Sequence, residues 1–221
     1  MIQLKHVKKI YGSGENSCNA LKDISFEVNT GEFIALCGTS GSGKTTLFNI
    51  ISGIDRNYEG KCYIDNTNLS ELTNNEMTIF RRMHIGIIFQ FFNLVSSLTV
   101  KENITLVSQL KGEKVSNDRL DSILNYLNLE NKKNSFIHEL SGGQQQRVAI
   151  ARTMYSETDI ILADEPTGNL DSENTKIIMD ILLNMKGQNK TVIVITHDNK
   201  IAKLADRIIN IKDGLIIDEK Y

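Results

Sequence analysis

The stretch Gly38-Thr39-Ser40-Gly41-Ser42-Gly43-Lys44-Thr45 carries the strongest structural signal in this sequence of 221 residues. It fits the pattern G-x-x-x-x-G-K-[ST], which forms a phosphate-binding loop where a strand precedes it and a helix follows. The apolar run Phe33 to Cys37 lies directly before the loop, and Thr46 to Ile51 has helical character after it. This context predicts a strand–loop–helix unit whose glycines let several backbone N–H groups point at one anion.

The chemistry of this loop indicates a nucleoside triphosphate with its magnesium ion. We expect Lys44 to reach the β- and γ-phosphates and the Thr45 hydroxyl to ligate Mg²⁺. The N-terminus of the following helix adds positive potential to the same place. The predicted nucleotide contacts are Gly38, Thr39, Ser40, Gly41, Ser42, Gly43, Lys44, Thr45 and Thr46.

Three further apolar runs of four or five residues are similar to the run before the loop. They are Ile85 to Phe89, Ile160 to Ala163 and Val192 to Ile195. Near-continuous apolar runs of this length are typical of strands covered on both faces, as in a parallel sheet. Amphipathic helical spacing occurs between and around them, at Leu120 to Leu127 and at Ile177 to Met185. The pattern predicts an α/β fold with a mainly parallel sheet and flanking helices.

The rest of the chain is expected to join this core in a single domain that spans residues 1–221. Residues 2–28 show the two-residue alternation of half-buried strands. Residues 97–158 contain few strand signals and predict a mainly helical insertion. A closing hairpin is predicted at Asp213-Gly214, a pair that suits a tight turn with positive φ.

The overall composition excludes several classes of protein. A formal net charge of −2 provides no excess of basic residues for phosphate neutralisation, so we expect no nucleic-acid partner. Cys18, Cys37 and Cys62 lack metal-ligand spacing and indicate free thiols in a reducing compartment. No apolar run is long enough for a transmembrane helix, and the first residues lack a signal-peptide core. We therefore expect a cytoplasmic protein.

A second candidate site lies where Asp164 and Glu165 follow the apolar run from Ile160. Ligands of open α/β sheets bind at the carboxyl ends of the strands, so Asp164 is expected to hold Mg²⁺. Glu165 is expected to orient or deprotonate the water that attacks the γ-phosphate. Alone, the pair fits a solvated strand end equally well, and the upstream loop favours the catalytic interpretation. Pro166, the sole proline, is expected to bias Glu165 toward extended conformations.

The segment Leu140-Ser141-Gly142-Gly143-Gln144-Gln145-Gln146-Arg147 narrows the class of protein. Ser141 followed three residues later by Gln144 is a capping-box pattern, which predicts the start of a helix. Two glycines behind a serine at a helix start also suit a second anion site. Both interpretations hold together.

On these residues the chain resembles the ATP-binding subunits of ABC transporters, over essentially its whole length and with the motifs in the family's order. The resemblance implies a P-loop NTPase core with an N-terminal antiparallel β subdomain and a helical subdomain that carries the signature motif. It implies that Tyr11 stacks on adenine, that Gln90 contacts Mg²⁺ and the attacking water, and that His197 contacts the γ-phosphate. Further ATP contacts implied in this way are Ser141, Gly142, Gly143, Gln144 and Asp171.

Several of these residues have a simpler structural alternative. Tyr11 could be an exposed aromatic at a strand end, His197 a structural histidine, and Asp171 a helix N-cap. The rival enzyme is a different phosphate-loop enzyme, either a kinase or a GTPase. The segment Asn131-Lys132-Lys133-Asn134 lacks the aspartate of a guanine-reading motif, which counts against the GTPase.

Closer still, the chain resembles the lipoprotein-releasing, macrolide-export and antimicrobial-peptide ATPases of that family. Thr39 departs from the proline that the family usually has, and Phe91 replaces a second glutamine that is frequent in this subfamily. Phe91 leaves an aromatic cluster with Phe89 and Phe92. The cluster is either an exposed apolar patch for a partner helix or packing under the helical insertion.

The resemblance also implies that two copies of the chain contribute different motifs to each ATP site. Two copies would form an ATP-induced homodimer, with the phosphate loop of one facing the signature of the other, and hydrolysis would open it. A separately encoded integral membrane permease, docked near Gln90, would hold the chain at the inner face of the membrane. Its substrate would be an antimicrobial peptide, a lipoprotein or a macrolide-like compound. The alternative is a non-transport ABC ATPase that transmits conformational work to a membrane partner, as in cell-division complexes.

Overall fold

Two β-sheets and flanking helices make up the fold in the computed structural model, which describes residues 1–220 apart from the side chain of Glu15. The strands are β1 (Ile2–Tyr11), β2 (Cys18–Val28), β3 (Phe33–Cys37), β4 (Glu59–Ile64), β5 (Thr67–Asn68), β6 (Ile85–Ile88), β7 (Ile160–Asp164), β8 (Thr191–Ile195), β9 (Arg207–Lys212) and β10 (Leu215–Lys220). The α-helices are α1 (Lys44–Ile51), α2 (Asn74–His84), α3 (Val100–Leu110), α4 (Asn117–Tyr126), α5 (Gly142–Tyr155), α6 (Ser172–Gly187) and α7 (Asn199–Ala202).

The larger sheet has the strand order β10-β9-β3-β8-β7-β6. Its strands from β9 to β6 pair in parallel, and β10 pairs antiparallel with β9. Asp213 and Gly214, between these two, have φ angles of 50° and 76°, as a tight hairpin turn requires. The smaller sheet, β2-β1-β4-β5, is antiparallel throughout. The predicted mixed core and antiparallel β subdomain are confirmed.

Side chains from the parallel strands alternate between two hydrophobic cores. Ile161 and Ala163 of β7 pack with the helical side of the molecule, whereas Ile160 and Leu162 pack with the smaller sheet and α1. Both faces of the sheet are therefore covered. This double burial explains why the strands are continuous apolar runs rather than alternating ones.

The helical subdomain contains α3, α4 and α5, which pack on one another and against the parallel sheet. Each of the three helices begins directly after a side-chain cap: Thr99, Ser116 and Ser141 accept hydrogen bonds from backbone N–H groups three residues on. The last of these places the signature motif at the start of α5, so the predicted helical subdomain carrying the signature is confirmed. Within residues 1–220, none of the helices combines the length and apolarity needed to cross a bilayer.

The order of the parallel strands determines where the candidate site forms. The carboxyl ends of β3, β8, β7 and β6 lie side by side at one edge of the sheet. The loop that starts at Gly38 follows β3, His197 follows β8, Asp164 ends β7, and Gln90 follows β6. Four segments that are far apart in sequence thus converge on one edge.

Candidate functional site

A cavity of about 940 Å³ opens at this edge of the sheet and collects most of the predicted site residues. Its volume is within the range of small-molecule sites. Predicted residues that line it are Tyr11, Gly38, Ser40, Gly41, Gly43, Lys44, Thr45, Thr46, Gln90, Asp164, Glu165 and His197. Further lining residues that the sequence pattern did not indicate are Ser17, Cys18, Asn19, Ala20, Lys22, Ile195 and Asp213.

The glycines at the two ends of the phosphate loop are required by close backbone approaches. Gly38 has φ 154°, and a Cβ there would lie 2.1 Å from the carbonyl oxygen of Ile211. Gly43 has φ 107°, and a Cβ there would lie 2.5 Å from the carbonyl oxygen of Ala20. Any side chain at either position would push the loop away from its neighbouring strands.

The Lys44 ammonium lies inside the loop. Its Nζ donates to the carbonyl oxygens of Gly38, at 2.9 Å, and Thr39, at 2.8 Å, and to the Ser42 hydroxyl at 3.4 Å. Lys44 is buried, so its positive charge is held within the loop. Thr39 and Ser42 do not line the cavity, but they hold the lysine that does.

The two carboxylates at the end of β7 influence each other. Burial raises the pKa of Asp164 above its ordinary value, the neighbouring Glu165 raises it further, and the Lys44 ammonium opposes both effects. The ionised form of Asp164 is therefore disfavoured by its surroundings. A divalent cation beside the carboxylate would reverse this preference, because it stabilises the negative charge directly.

The oxygen donors of the cavity fit Mg²⁺. The Thr45 hydroxyl, the Gln90 side-chain carbonyl and the Asp164 carboxylate line the same space. Among the described residues no group of three or more His, Cys, Asp or Glu side chains forms a complete metal cage. Mg²⁺ in phosphate-transfer sites is held by one or two carboxylates together with the phosphates of the substrate, so these donors suit it. When bound, the ion neutralises charge on the β- and γ-phosphates.

The backbone conformation of Glu165 differs from the expectation. Its φ is 45°, in the left-handed region, and the predicted extended conformation is wrong. Pro166 influences the backbone only locally, whereas hydrogen bonds to residues of a distant segment hold both the backbone and the side chain of Glu165. Its N–H donates to the Ile195 carbonyl at 3.0 Å, and Nδ1 of His197 donates to its Oε1 at 2.8 Å. A non-glycine residue with positive φ at this position is the kind of strain that clusters at functional sites.

His197 contacts the carboxylate of Glu165 directly. Its side chain is 75% exposed, whereas that of Glu165 is 18% exposed. The imidazole therefore covers one side of a largely buried carboxylate and fixes its direction. The phosphate contact expected at His197 stays a prediction. The contact with Glu165 is not indicated by any local pattern, because the two residues follow different strands.

The signature residues lie outside the cavity. Ser141 Oγ accepts from the Gln144 N–H at 3.3 Å, and Gln144 Oε1 accepts from the Ser141 N–H at 3.0 Å, so the predicted capping box forms. Asp171 is the N-cap of α6 and accepts from the Asn174 N–H at 2.8 Å. Ser141, Gly142, Gly143, Gln144 and Asp171 are absent from the lining of the cavity.

Two residues near the start of α5, which the sequence did not single out, connect this helix to the segment after β7 and to α6. The side chain of Gln146 is fully buried, and its amide donates to the Pro166 carbonyl at 2.6 Å. Arg147 donates to Asn174 Oδ1 at 2.9 Å, next to the Asp171 cap. Both lie within the signature run, but nothing in the run of three glutamines distinguishes Gln146 from its neighbours.

The comparisons with known proteins agree with this geometry. A family model described as ABC transporter matches residues 21–168. The macrolide export ATP-binding/permease protein MacB of Mannheimia succiniciproducens is 43% identical over 221 residues. The ABC transporter ATP-binding protein YxdL of Bacillus subtilis is 45% identical over 224 residues. A solved dimeric structure of the ATP-binding cassette MJ0796, in a post-hydrolysis state bound to ADP and Pi, superposes with a TM-score of 0.92 and 42% identity.

The extent of these matches differs between relatives. The alignment with MacB covers 99% of this chain but 34% of that protein, so the chain spans about a third of its length. The alignment with YxdL covers 100% of this chain and 87% of the relative. The MJ0796 cassette is covered to 98%, and this chain to 100%.

The phosphate loop, the capped signature helix and the acidic strand end of this chain follow one another in the order that the resemblance implied. The macrolide-export likeness inferred from the sequence is confirmed by the MacB relatives. The chain belongs to the ABC transporter family, and over its whole length it is similar to a cassette that was solved with ADP and Pi bound.

Proposed function

We propose that this chain is a single cassette domain, residues 1–221 with a helical insertion at about 97–158, that powers a membrane permease from the cytoplasmic face. Relatives named as macrolide export and ABC transporter ATP-binding proteins support export or extraction as the task. A macrolide-like compound, an antimicrobial peptide or a lipoprotein is the proposed substrate class. The permease, not this chain, would select among them.

The observation that carries the proposal is the separation of the signature residues from the cavity. The cavity holds a phosphate loop, two carboxylates, Gln90 and His197, whereas Ser141 begins α5 outside it. A second copy, placed head to tail, would bring its helix N-terminus to the same nucleotide. The dimeric form of the MJ0796 cassettes supports this arrangement.

The proposed roles follow from the positions of the residues. Lys44 holds the β- and γ-phosphates, and Thr45, Gln90 and Asp164 supply oxygen ligands for Mg²⁺. Glu165, oriented by His197, positions or deprotonates the attacking water. Cleavage removes the phosphate that the two copies share, and the pair opens.

Replacing Ser141 by arginine tests the composite site. We expect Ser141→Arg to lower ATP turnover by at least about 100-fold, because the side chain blocks the helix N-terminus that faces the partner's nucleotide. The affinity of the variant for ADP should stay within about two-fold of the wild type, since its own cavity is intact. Phosphate-release kinetics and calorimetry with ADP measure the two quantities. A parallel loss of ADP affinity would place the signature in the chain's own site and contradict the proposal.

The loop after β6 offers a surface for the permease. Phe89 packs against a hydrophobic core beside Phe48, whereas Phe91 is 75% exposed, which favours the apolar patch at this residue. Near it a groove of about 310 Å³ is lined by Arg81, Arg82 and Arg152 together with Phe89 and other apolar residues. None of the lining residues described there is acidic. An apolar permease helix that carries a carboxylate would fit this basic groove.

Replacing Phe91 by serine tests the docking surface. We expect Phe91→Ser to reduce binding to membranes of the source organism that have been washed free of peripheral proteins, by about ten-fold. Ile217→Ser is the matched control, because Ile217 is 60% exposed on β10, at the edge of the larger sheet opposite to β6. Sedimentation with the membranes measures binding. Equal loss in both variants, or none in either, would contradict a specific surface at Phe91.

A further inference from the structure

The aromatic ring that lines the cavity near β2 rests on a buried charge pair. Tyr11 is 42% exposed and lines the cavity, whereas Lys9, two residues earlier on β1, is 5% exposed. The Lys9 ammonium lies over the Tyr11 ring, 4.7 Å from its centroid. A cation on one face of an aromatic ring is attracted by the negative potential of that face.

Asp55 closes this contact into a triangle. Lys9 Nζ donates to Asp55 Oδ1 at 2.8 Å, and the Tyr11 hydroxyl donates to Asp55 Oδ2 at 2.9 Å. The N–H of Asn57 also donates to Asp55 Oδ1, at 3.0 Å, and the Asn57 carbonyl accepts from Lys9. The ring is therefore held at its hydroxyl end and covered on one face.

The surroundings of Asp55 favour its ionised form. Burial alone would raise the pKa of Asp55, but hydrogen bonds from Lys9 and Tyr11 outweigh it and lower the pKa below its ordinary value. Lys9 and Asp55 have side chains that are 5% and 16% exposed, so their attraction is only weakly screened by solvent. The pair is a fixed support rather than a mobile surface contact.

Lys9 and Asp55 lie outside the cavity lining but act on a residue within it. A ring held in one orientation loses little conformational entropy when a base stacks on it. The ammonium behind the ring also draws π-electron density toward itself, which lowers the repulsion between the free face and the electron-rich face of a purine.

We propose that Lys9 and Asp55 are positioning residues that hold Tyr11 for stacking on the base. This inference rests on the proposed nucleotide site. The two residues fix the orientation of the Tyr11 ring and reduce its π-electron density, so that the ring stacks favourably on the base of the nucleotide. The phosphate loop, in contrast, binds the phosphate end and does not contact the pair. Removing the support should weaken binding of nucleotides without weakening binding of bare polyphosphate.

Calorimetry with ADP and with tripolyphosphate distinguishes binding of the base from binding of the phosphates, because tripolyphosphate has no base. Tyr11→Phe keeps the ring and removes the hydroxyl, and we expect its Kd for ADP to rise about three- to ten-fold. The double variant Lys9→Met/Asp55→Asn removes both charges together, so no unpaired charge is buried, and its Kd for ADP should rise about ten-fold. In both, the Kd for tripolyphosphate should stay within about two-fold, and KM for ATP should rise while kcat is retained.

Lys5→Met is the matched control, because Lys5 lies over the Tyr63 ring at 5.5 Å, on the same strand but outside the cavity lining. It should bind ADP like the wild type. A purely structural pair would lower the melting temperature of the folded double variant and leave its ADP affinity unchanged, which would overturn the proposal. Parallel loss of ADP and tripolyphosphate would overturn it too. Failure of the wild-type chain to bind either ligand would instead refute the proposed function.

Discussion

Replacing Glu165 by glutamine should nearly abolish ATP turnover and leave uncleaved ATP bound to the protein. The glutamine keeps the size of the side chain but cannot accept a proton from the attacking water, and loss of a positioned base typically costs 10²–10⁴-fold. The substitution also removes the negative charge that raises the pKa of Asp164, so binding of the cation and phosphates should be retained or improved. Phosphate release measures turnover, and chromatography of extracted nucleotide identifies what remains bound.

A control for this variant is Glu157→Gln. The Glu157 side chain is 70% exposed and pairs with Arg119 at 2.7 Å, away from the residues that line the cavity. It should hydrolyse ATP at the wild-type rate. If Glu165→Gln also turned over at that rate, Glu165 would not be the catalytic carboxylate, and the role that its His197 contact implies would be wrong.

Replacing Lys44 by alanine should act on binding rather than on the chemical step. The ammonium is buried within the loop and makes charge-assisted contacts, so its removal should cost about 2–5 kcal/mol of phosphate binding. That range corresponds to a loss of roughly 30-fold or more in affinity for ADP. Alanine is a strong helix former at the start of α1, so the fold should persist. Calorimetry with ADP and thermal unfolding measure the two effects.

Lys190→Ala is the matched control for Lys44→Ala. Lys190 Nζ donates to the Thr158 carbonyl at 2.8 Å, and Lys190 does not line the nucleotide cavity. Its loss should leave the affinity for ADP unchanged. Wild-type affinity for ADP in Lys44→Ala would show that the loop does not hold phosphate through this side chain.

The elements of the core could be predicted from the sequence because their signals are local. The run Phe33 to Cys37 is apolar throughout since both faces of β3 are buried, and its observed bounds match the prediction. The cap at Ser141 and the turn at Asp213-Gly214 also depend on neighbouring residues alone. For the same reason the phosphate loop, defined by spacing within eight residues, was predictable with its flanking elements.

The contacts between distant segments could not be predicted in this way. His197 meets Glu165 because β8 lies beside β7, and strand order is not a local property of either segment. Asp55 meets Lys9 and Tyr11 across more than forty residues of chain, and β1 has register shifts around Lys9. The left-handed backbone at Glu165 could not be predicted for the same reason, since a hydrogen bond to the distant residue Ile195 overrides the local influence of Pro166.

The mass of Glu165→Gln in solution, with and without MgATP, tests the head-to-tail pair most directly. The chain has a mass of 24.8 kDa, and size-exclusion chromatography with light scattering distinguishes one copy from two. We expect a monomer without nucleotide and a dimer of twice that mass with MgATP, and we expect Ser141→Arg in the same background to remain monomeric. A Glu165→Gln protein that binds MgATP and stays monomeric would contradict the shared site.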